Sequence, residues 1–203
     1  MPLPRFFTES DRLEAFSDGV IAVIITIMVL ELRPPTSTDI GALVQLAPTF
    51  AAYALSFTFV GIYWNNHHHM LRATRGIDGR AMWANLHLLF WLSLVPFTTA
   101  WLGRNPSAPG PTTLYGVVLL LDSIAYMILQ RTLVSLNVAN GAFAAAIKTD
   151  VKGRTSLLLY LLALGFAPFY PYVSESIFVI VAAMWLIPDR RFEPLIASKT
   201  DEE

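Results

Sequence analysis

Arg12, Ser17 and Asp18 stand at the head of an apolar run that continues to Leu32, interrupted by the hydroxyl of Thr26 and closed by Glu31. An arginine and an aspartate at a membrane boundary are costly unless paired, so side chains of this kind in that place are expected to be functional. Few other residues are equipped for chemistry. His67, His68 and His69 are consecutive, His87 follows, and Asp122 sits in the middle of another apolar run. Successive helical residues point about 100° apart, so His67, His68 and His69 do not converge on one ion; no metal is expected, and a zinc site there is a weak alternative needing ligands from elsewhere. A pH-sensing role is the other chemistry open to them. An unpaired charge at the depth of Asp122 costs roughly 2.5–3.5 kcal/mol on the insertion scale. That predicts a protonated carboxyl, or one bonded to a facing hydroxyl such as Ser93 or Ser156, with a proton relay as the sharper alternative. Glu175 is expected to cap the last helix, and His87 to hydrogen-bond between helices.

The elements that position these groups are membrane helices. Apolar residues make up 55% of the chain against 14% charged, the mean hydropathy is +0.53, and the apolar residues gather into long blocks, the pattern of an integral membrane protein. Six blocks can be drawn, at approximately 14–32, 40–64, 81–103, 112–133, 155–172 and 175–188. The first four reach the roughly 20 residues that a hydrocarbon core about 30 Å thick demands. The last two are short and form a hairpin about the turn at Pro168 and Pro171. Placing the N-terminus inside leaves only Arg33 and Arg104 of the 14 lysines and arginines outside, so both termini are expected in the cytoplasm. A short surface helix is expected within the inner loop at 137–153. The absence of cysteine excludes disulfides and thiol chemistry, and a net charge of −1 with no basic arm gives no reason to expect nucleic acid. Trp64, Trp101 and Tyr172 fall near the interfaces as anchors, and Gly61, Gly116 and Gly165 are placed for close helix approach.

On the first helix, Gly19, Val23, Thr26 and Leu30 follow steps of four, three and four, and so share one stripe, with Ile27 beside it. Ser17 and Asp18 lie at its inner mouth and Glu31 at its outer end. From periodicity alone, the stripe is either a packing face with Thr26 bonded to its own backbone, or the lining of something polar.

The string Arg12-x-x-x-Phe16-Ser17-Asp18, followed by GVIAVIITIMVLEL, resembles the opening of the lysosomal potassium channel family, in particular its bacterial single-repeat members. FVGIYWNNHHHMLR (Phe59 to Arg72) and WANLHLLFWLSLVPFTT (Trp83 to Thr99) are similar to that family's second and third spans. The resemblance implies an all-α membrane protein of six transmembrane helices, assembling as a homotetramer around a central pore. It implies a potassium-selective or weakly selective cation channel whose permeant ion is K+, with no cofactor, in a bacterial plasma membrane. It puts the pore on the first helix, with an apolar constriction at Val23, Thr26 and Leu30, Ile27 as a substitute for the short Val23, and Gly19 and Glu31 towards the mouths. It also implies an inner polar network of Arg12, Phe16, Ser17, Asp18, His67, Trp83 and Asn85. No Thr-Val-Gly-Tyr-Gly loop occurs, so a carbonyl filter is not expected.

Two further function classes compete. A proton-coupled secondary transporter, or a proton-permeable channel, is suggested by Asp122 and the histidines, but related halves with interrupted midplane helices are not evident. A membrane enzyme lacks support, since neither Gly-x-Ser-x-Gly nor His-Glu-x-x-His is present.

Overall fold

The computed structural model of the chain describes residues 9–74, 76–136 and 150–187, all helix and connecting turns. Residues 137–149 of the loop at 137–153 where a surface helix is expected, Arg5, Arg75, Lys148, Arg190, Arg191 and Lys199 of the expected inner side, and the end of the sixth block lie outside the described residues. The helices are α1 (Glu9–Leu30), α2 (Gly41–Val44), α3 (Ala47–Arg72), α4 (Gly79–Leu92), α5 (Val95–Arg104), α6 (Pro109–Leu136), α7 (Val151–Phe166) and α8 (Pro171–Leu186). Among the described residues, three stretches are long and apolar enough to cross a membrane: Ser10–Leu30, Gly79–Arg104 and Pro109–Leu136.

Proline decides where the helices break. Pro48 and Pro96 each lie in the first turn of a helix, α3 and α5. There the missing N–H costs nothing, whereas further in it would remove a backbone bond and the ring would clash with the preceding turn. The third apolar block is therefore two helices, α4 and α5, joined at Ser93 and Leu94, with Leu94 N–H bonding back only three residues to Trp91. The second block breaks likewise before Pro48, and α3 runs to Arg72 rather than ending at Trp64. Hydropathy marks where a helix leaves lipid, and α3 continues past that point on polar side chains that find partners on α1 and α4.

Caps fix the N-terminal ends of α4 and α7. Asp78 accepts from Ala81 N–H at 3.0 Å and Asp150 from Gly153 N–H at 2.8 Å, each satisfying a donor the first turn leaves free. The Ala81 bond, with help from Arg80, holds the Asp78 carboxyl below the usual carboxylate range.

Packing divides into two apolar clusters. One joins α1, α3, α4 and α6 through Ile21, Ile24, Met28, Met70, Leu88 and Leu129. The other joins α3, α5, α6, α7 and α8 through Phe59, Leu102, Tyr115, Tyr160, Phe178 and Val181. Close helix approach occurs at Gly116, where a Cβ would stand 2.9 Å from Phe178, and at Gly103, where it would stand 2.9 Å from Thr49. Gly61 and Gly165, expected to serve the same purpose, face open space, because neither lies on the side of its helix that meets a neighbour.

Candidate functional site

α1 has two unlike faces. Leu13, Ser17, Ile21, Ile24 and Met28, at steps of four, four, three and four, are buried against the rest of the chain. On the other side Gly19, Val23, Thr26, Ile27 and Leu30 are exposed, Val23 by 54% and Leu30 by 75%. The stripe drawn from the sequence is thus not packed within its own chain. Thr26 Oγ1 donates to the Val23 carbonyl at 3.0 Å, which uses its proton and leaves the oxygen's lone pairs facing outwards. The flank of the stripe opens onto a groove of about 1190 Å3, walled on the α5 side by Phe97 and Trp101. Beyond the C-terminal end of α1, Glu31 is ion-paired with Arg104, and Arg33 lines the same groove.

The N-terminal end of α1 is tied down by polar groups. Ser17 Oγ donates to the Leu13 carbonyl at 2.8 Å, so it can only accept from Asn85 Nδ2, at 2.9 Å. That orients the Asn85 amide with its oxygen towards His67 Nε2, 2.7 Å away, and makes Nε2 the protonated nitrogen of that ring. All three side chains are fully buried, so α1, α3 and α4 meet at one interlocked set of hydrogen bonds. Beside it runs a ladder. Glu14 and Asp18, four apart on α1, face Trp64, His68 and Arg72, at the same spacing on α3. Trp64 Nε1 donates to Asp18 at 3.0 Å, His68 Nδ1 lies 2.8 Å from Glu14, Arg72 Nε lies 3.9 Å from Glu14, and the Trp64 and His68 rings stack.

Three of the expected network members stand apart from it. Arg12 and Phe16, one turn apart on the exposed face of α1, border a cleft of about 410 Å3 with Met82 and Leu86. Trp83 is 76% exposed: two residues before Asn85, it points to nearly the opposite side of α4. The three histidines diverge, with His67 on Asn85, His68 on Glu14 and His69 edge-on to His68. Among the described residues, the set with metal-ligand spacing is Glu14, Asp18 and His68, whose ligand atoms lie within 4.8 Å of one another.

Other polar expectations are corrected. Neither carboxyl oxygen of Asp122 has a hydrogen-bond partner among the described residues: Ser93 Oγ bonds to Phe90 O, and Ser156 Oγ to Lys152 O and Trp185. Glu175 does not cap α8, since it lies inside that helix. Its carboxylate accepts instead from Ser107 N–H and Oγ and from Thr112 Oγ1, at 3.0 to 3.1 Å, and so holds Ser107, the described non-glycine residue with a positive φ of 56°. His87 bonds within its own helix, accepting from Trp91 Nε1 at 2.9 Å.

Comparison with known proteins places this geometry in context. Residues 12–96 match the family described as "Endosomal/lysosomal potassium channel TMEM175". A protein of Chryseobacterium sp. named as a potassium channel is 46% identical over 182 residues, covering 90% of this chain and 95% of its own length. The mouse protein named as an endosomal/lysosomal proton channel, TMEM175, is 25% identical over 197 residues, covering 94% of this chain and 39% of its own. In three dimensions, the crystal structure of a lysosomal potassium-selective channel TMEM175 homolog from Chamaesiphon minutus superposes with a TM-score of 0.78 at 27% identity, covering 89% of this chain and 98% of that one.

Proposed function

The chain belongs to the TMEM175 family, a family of membrane ion channels and not of enzymes, and from that membership we propose that it is a potassium-conducting channel whose pore is lined by α1. Four copies surround an axis, each presenting its exposed α1 stripe inwards. The six apolar blocks span the plasma membrane of a bacterium, with both termini in the cytoplasm. The observation that carries this reading is the asymmetry of α1: one side is packed in its own chain, while the side bearing Val23, Thr26, Ile27 and Leu30 is uncovered.

A ring of aliphatic side chains controls ions by its width, because water leaves an apolar constriction once it is narrow enough. Val23 and Leu30 set that width, and Ile27 adds bulk between them. K+ sheds hydration water at lower cost than Na+, and the Thr26 oxygens replace part of what it loses. Glu31 is a weaker cation attractor than its charge suggests, since Arg104 neutralises it.

Planar-bilayer recording of purified protein under bi-ionic conditions tests the assignment. Val23→Ala and Leu30→Ala are expected to raise conductance, and Thr26→Val to move the reversal potential towards that of a non-selective pore. Unchanged conductance and reversal potential in all three variants would take α1 out of the pore.

A further inference from the structure

Two carboxylates and an imidazole meet where α1 lies against α3. Glu14 and Asp18 stand one turn apart on α1, His68 faces them from α3, and the ligand atoms of all three lie within 4.8 Å of one another. Acidic side chains at that helical spacing repel each other. Arg72 Nε stands off from Glu14 at 3.9 Å, on a side chain 59% exposed. His68 Nδ1 lies 2.8 Å from Glu14 Oε1, but the two are not aligned as a hydrogen bond, and Nδ1, itself shielded from solvent, has no hydrogen-bond partner among the described residues. The Nδ1 atoms of His67 and His69 are shielded and unpartnered too, yet neither belongs to a set with ligand spacing. Trp64 Nε1 donates to Asp18 Oδ1 at 3.0 Å, steadying that carboxylate as outer donors do around metal centres. An ionised carboxylate keeps acceptor capacity beyond one such bond. Glu14 and His68 are mostly covered without being sealed off, their side chains 15% and 25% exposed, so an ion has a way in.

We propose that Glu14, Asp18 and His68 form a site for a divalent first-row transition ion of the Zn2+ and Co2+ class, which clasps α1 to α3. One imidazole with two carboxylates suits such ions, whereas Mg2+ and Ca2+ take oxygen ligands. Three ligands about 2.1 Å from one ion stand roughly 3–4 Å apart, so side-chain rotations of about an ångström close the set with both helices left in place. The ion gives His68 Nδ1 an electron-pair acceptor, with the ring proton on Nε2, and offsets both carboxylate charges at once. Water completes its shell, as in other sites with three protein ligands. The run of three histidines is not itself the ligand set: one of them, His68, joins two carboxylates supplied by another helix.

The experiment titrates the whole protein, purified in detergent without a histidine tag, with Co2+ and reads its visible d–d absorption. Wild type is expected to bind one Co2+ per chain, which Zn2+ displaces and excess Mg2+ does not. Glu14→Gln and His68→Ala are each expected to weaken binding at least tenfold, while His69→Ala and His87→Ala bind as wild type does. Zn2+ is expected to raise the melting temperature of wild type, since a ligand held only by the folded state stabilises it, and to leave that of Glu14→Gln unmoved. Should His68→Ala fail to purify, Glu14→Gln, which keeps the side chain's shape, is decisive on the same criteria. Wild type without Co2+ binding, binding undiminished in Glu14→Gln, or equal loss in His69→Ala would each overturn the site. Conductance takes no part in these readings, so a failure of the pore assignment would leave them standing.

Discussion

Asn85 shows how much one side chain can decide in a dry setting. Its amide receives from His67 and gives to Ser17, and neither neighbour has solvent as a substitute. Asn85→Ala should lower stability by about 1–3 kcal/mol, the cost of leaving buried groups unpaired, seen as an earlier melting transition in detergent by tryptophan fluorescence. The participants Ser17, Asp18, His67 and Asn85 were legible from the motif and its companion segments. Glu14 and Trp64 were not given their roles: one only opened the first apolar block, and the other read as an interfacial anchor. Their spacing, four apart on α1 and again on α3, was visible, but a ladder needs two rails, and which helices are neighbours is not written in a single helix. The same gap explains Asp122, whose burial was expected while the partners of Ser93 and Ser156, which bond elsewhere, depend on packing.

Helix boundaries were set by two influences that hydropathy alone confuses. Apolar runs locate the part of a helix that meets lipid or core, whereas Pro48, Pro96 and Pro171 locate where helices begin. The helical hairpin about Pro168 and the long α6 followed from the sequence, and the splitting of the third block into α4 and α5 did not, because Pro96 was read as part of a span. Glycine gives the corresponding lesson for packing. Gly116→Ala, pushing into Phe178, should cost about 1–3 kcal/mol as overpacking does. Gly61→Ala, with open space around it, should be neutral or gain up to about 1 kcal/mol from helix propensity. Paired melting curves of the two variants check this, and equal shifts would mean that α6 and α8 do not approach as closely as described.

At the level of the molecule, a chain without cysteine lends itself to mapping by single introduced thiols. The proposed gathering of α1 helices about an axis predicts that Thr26→Cys forms disulfide-linked dimers under mild oxidation, read on a non-reducing gel. Ile21→Cys, on the face buried in its own chain, is expected to stay monomeric; cross-linking of Ile21→Cys but not Thr26→Cys would reverse the orientation given to α1. The helix is fastened at both extremities, by the Ser17 and Glu14–Asp18 contacts on α3 and α4 at one end and by Glu31 on Arg104 at the other. Between them Ile21, Ile24 and Met28 hold it through apolar packing. A rod pinned in this way cannot swing like a door. In the proposed pore such a rod would bow or roll like a plucked string, with its greatest displacement at mid-length, where Val23 and Thr26 sit, so that a small flexure there would change the bore more than any tilt of the ends.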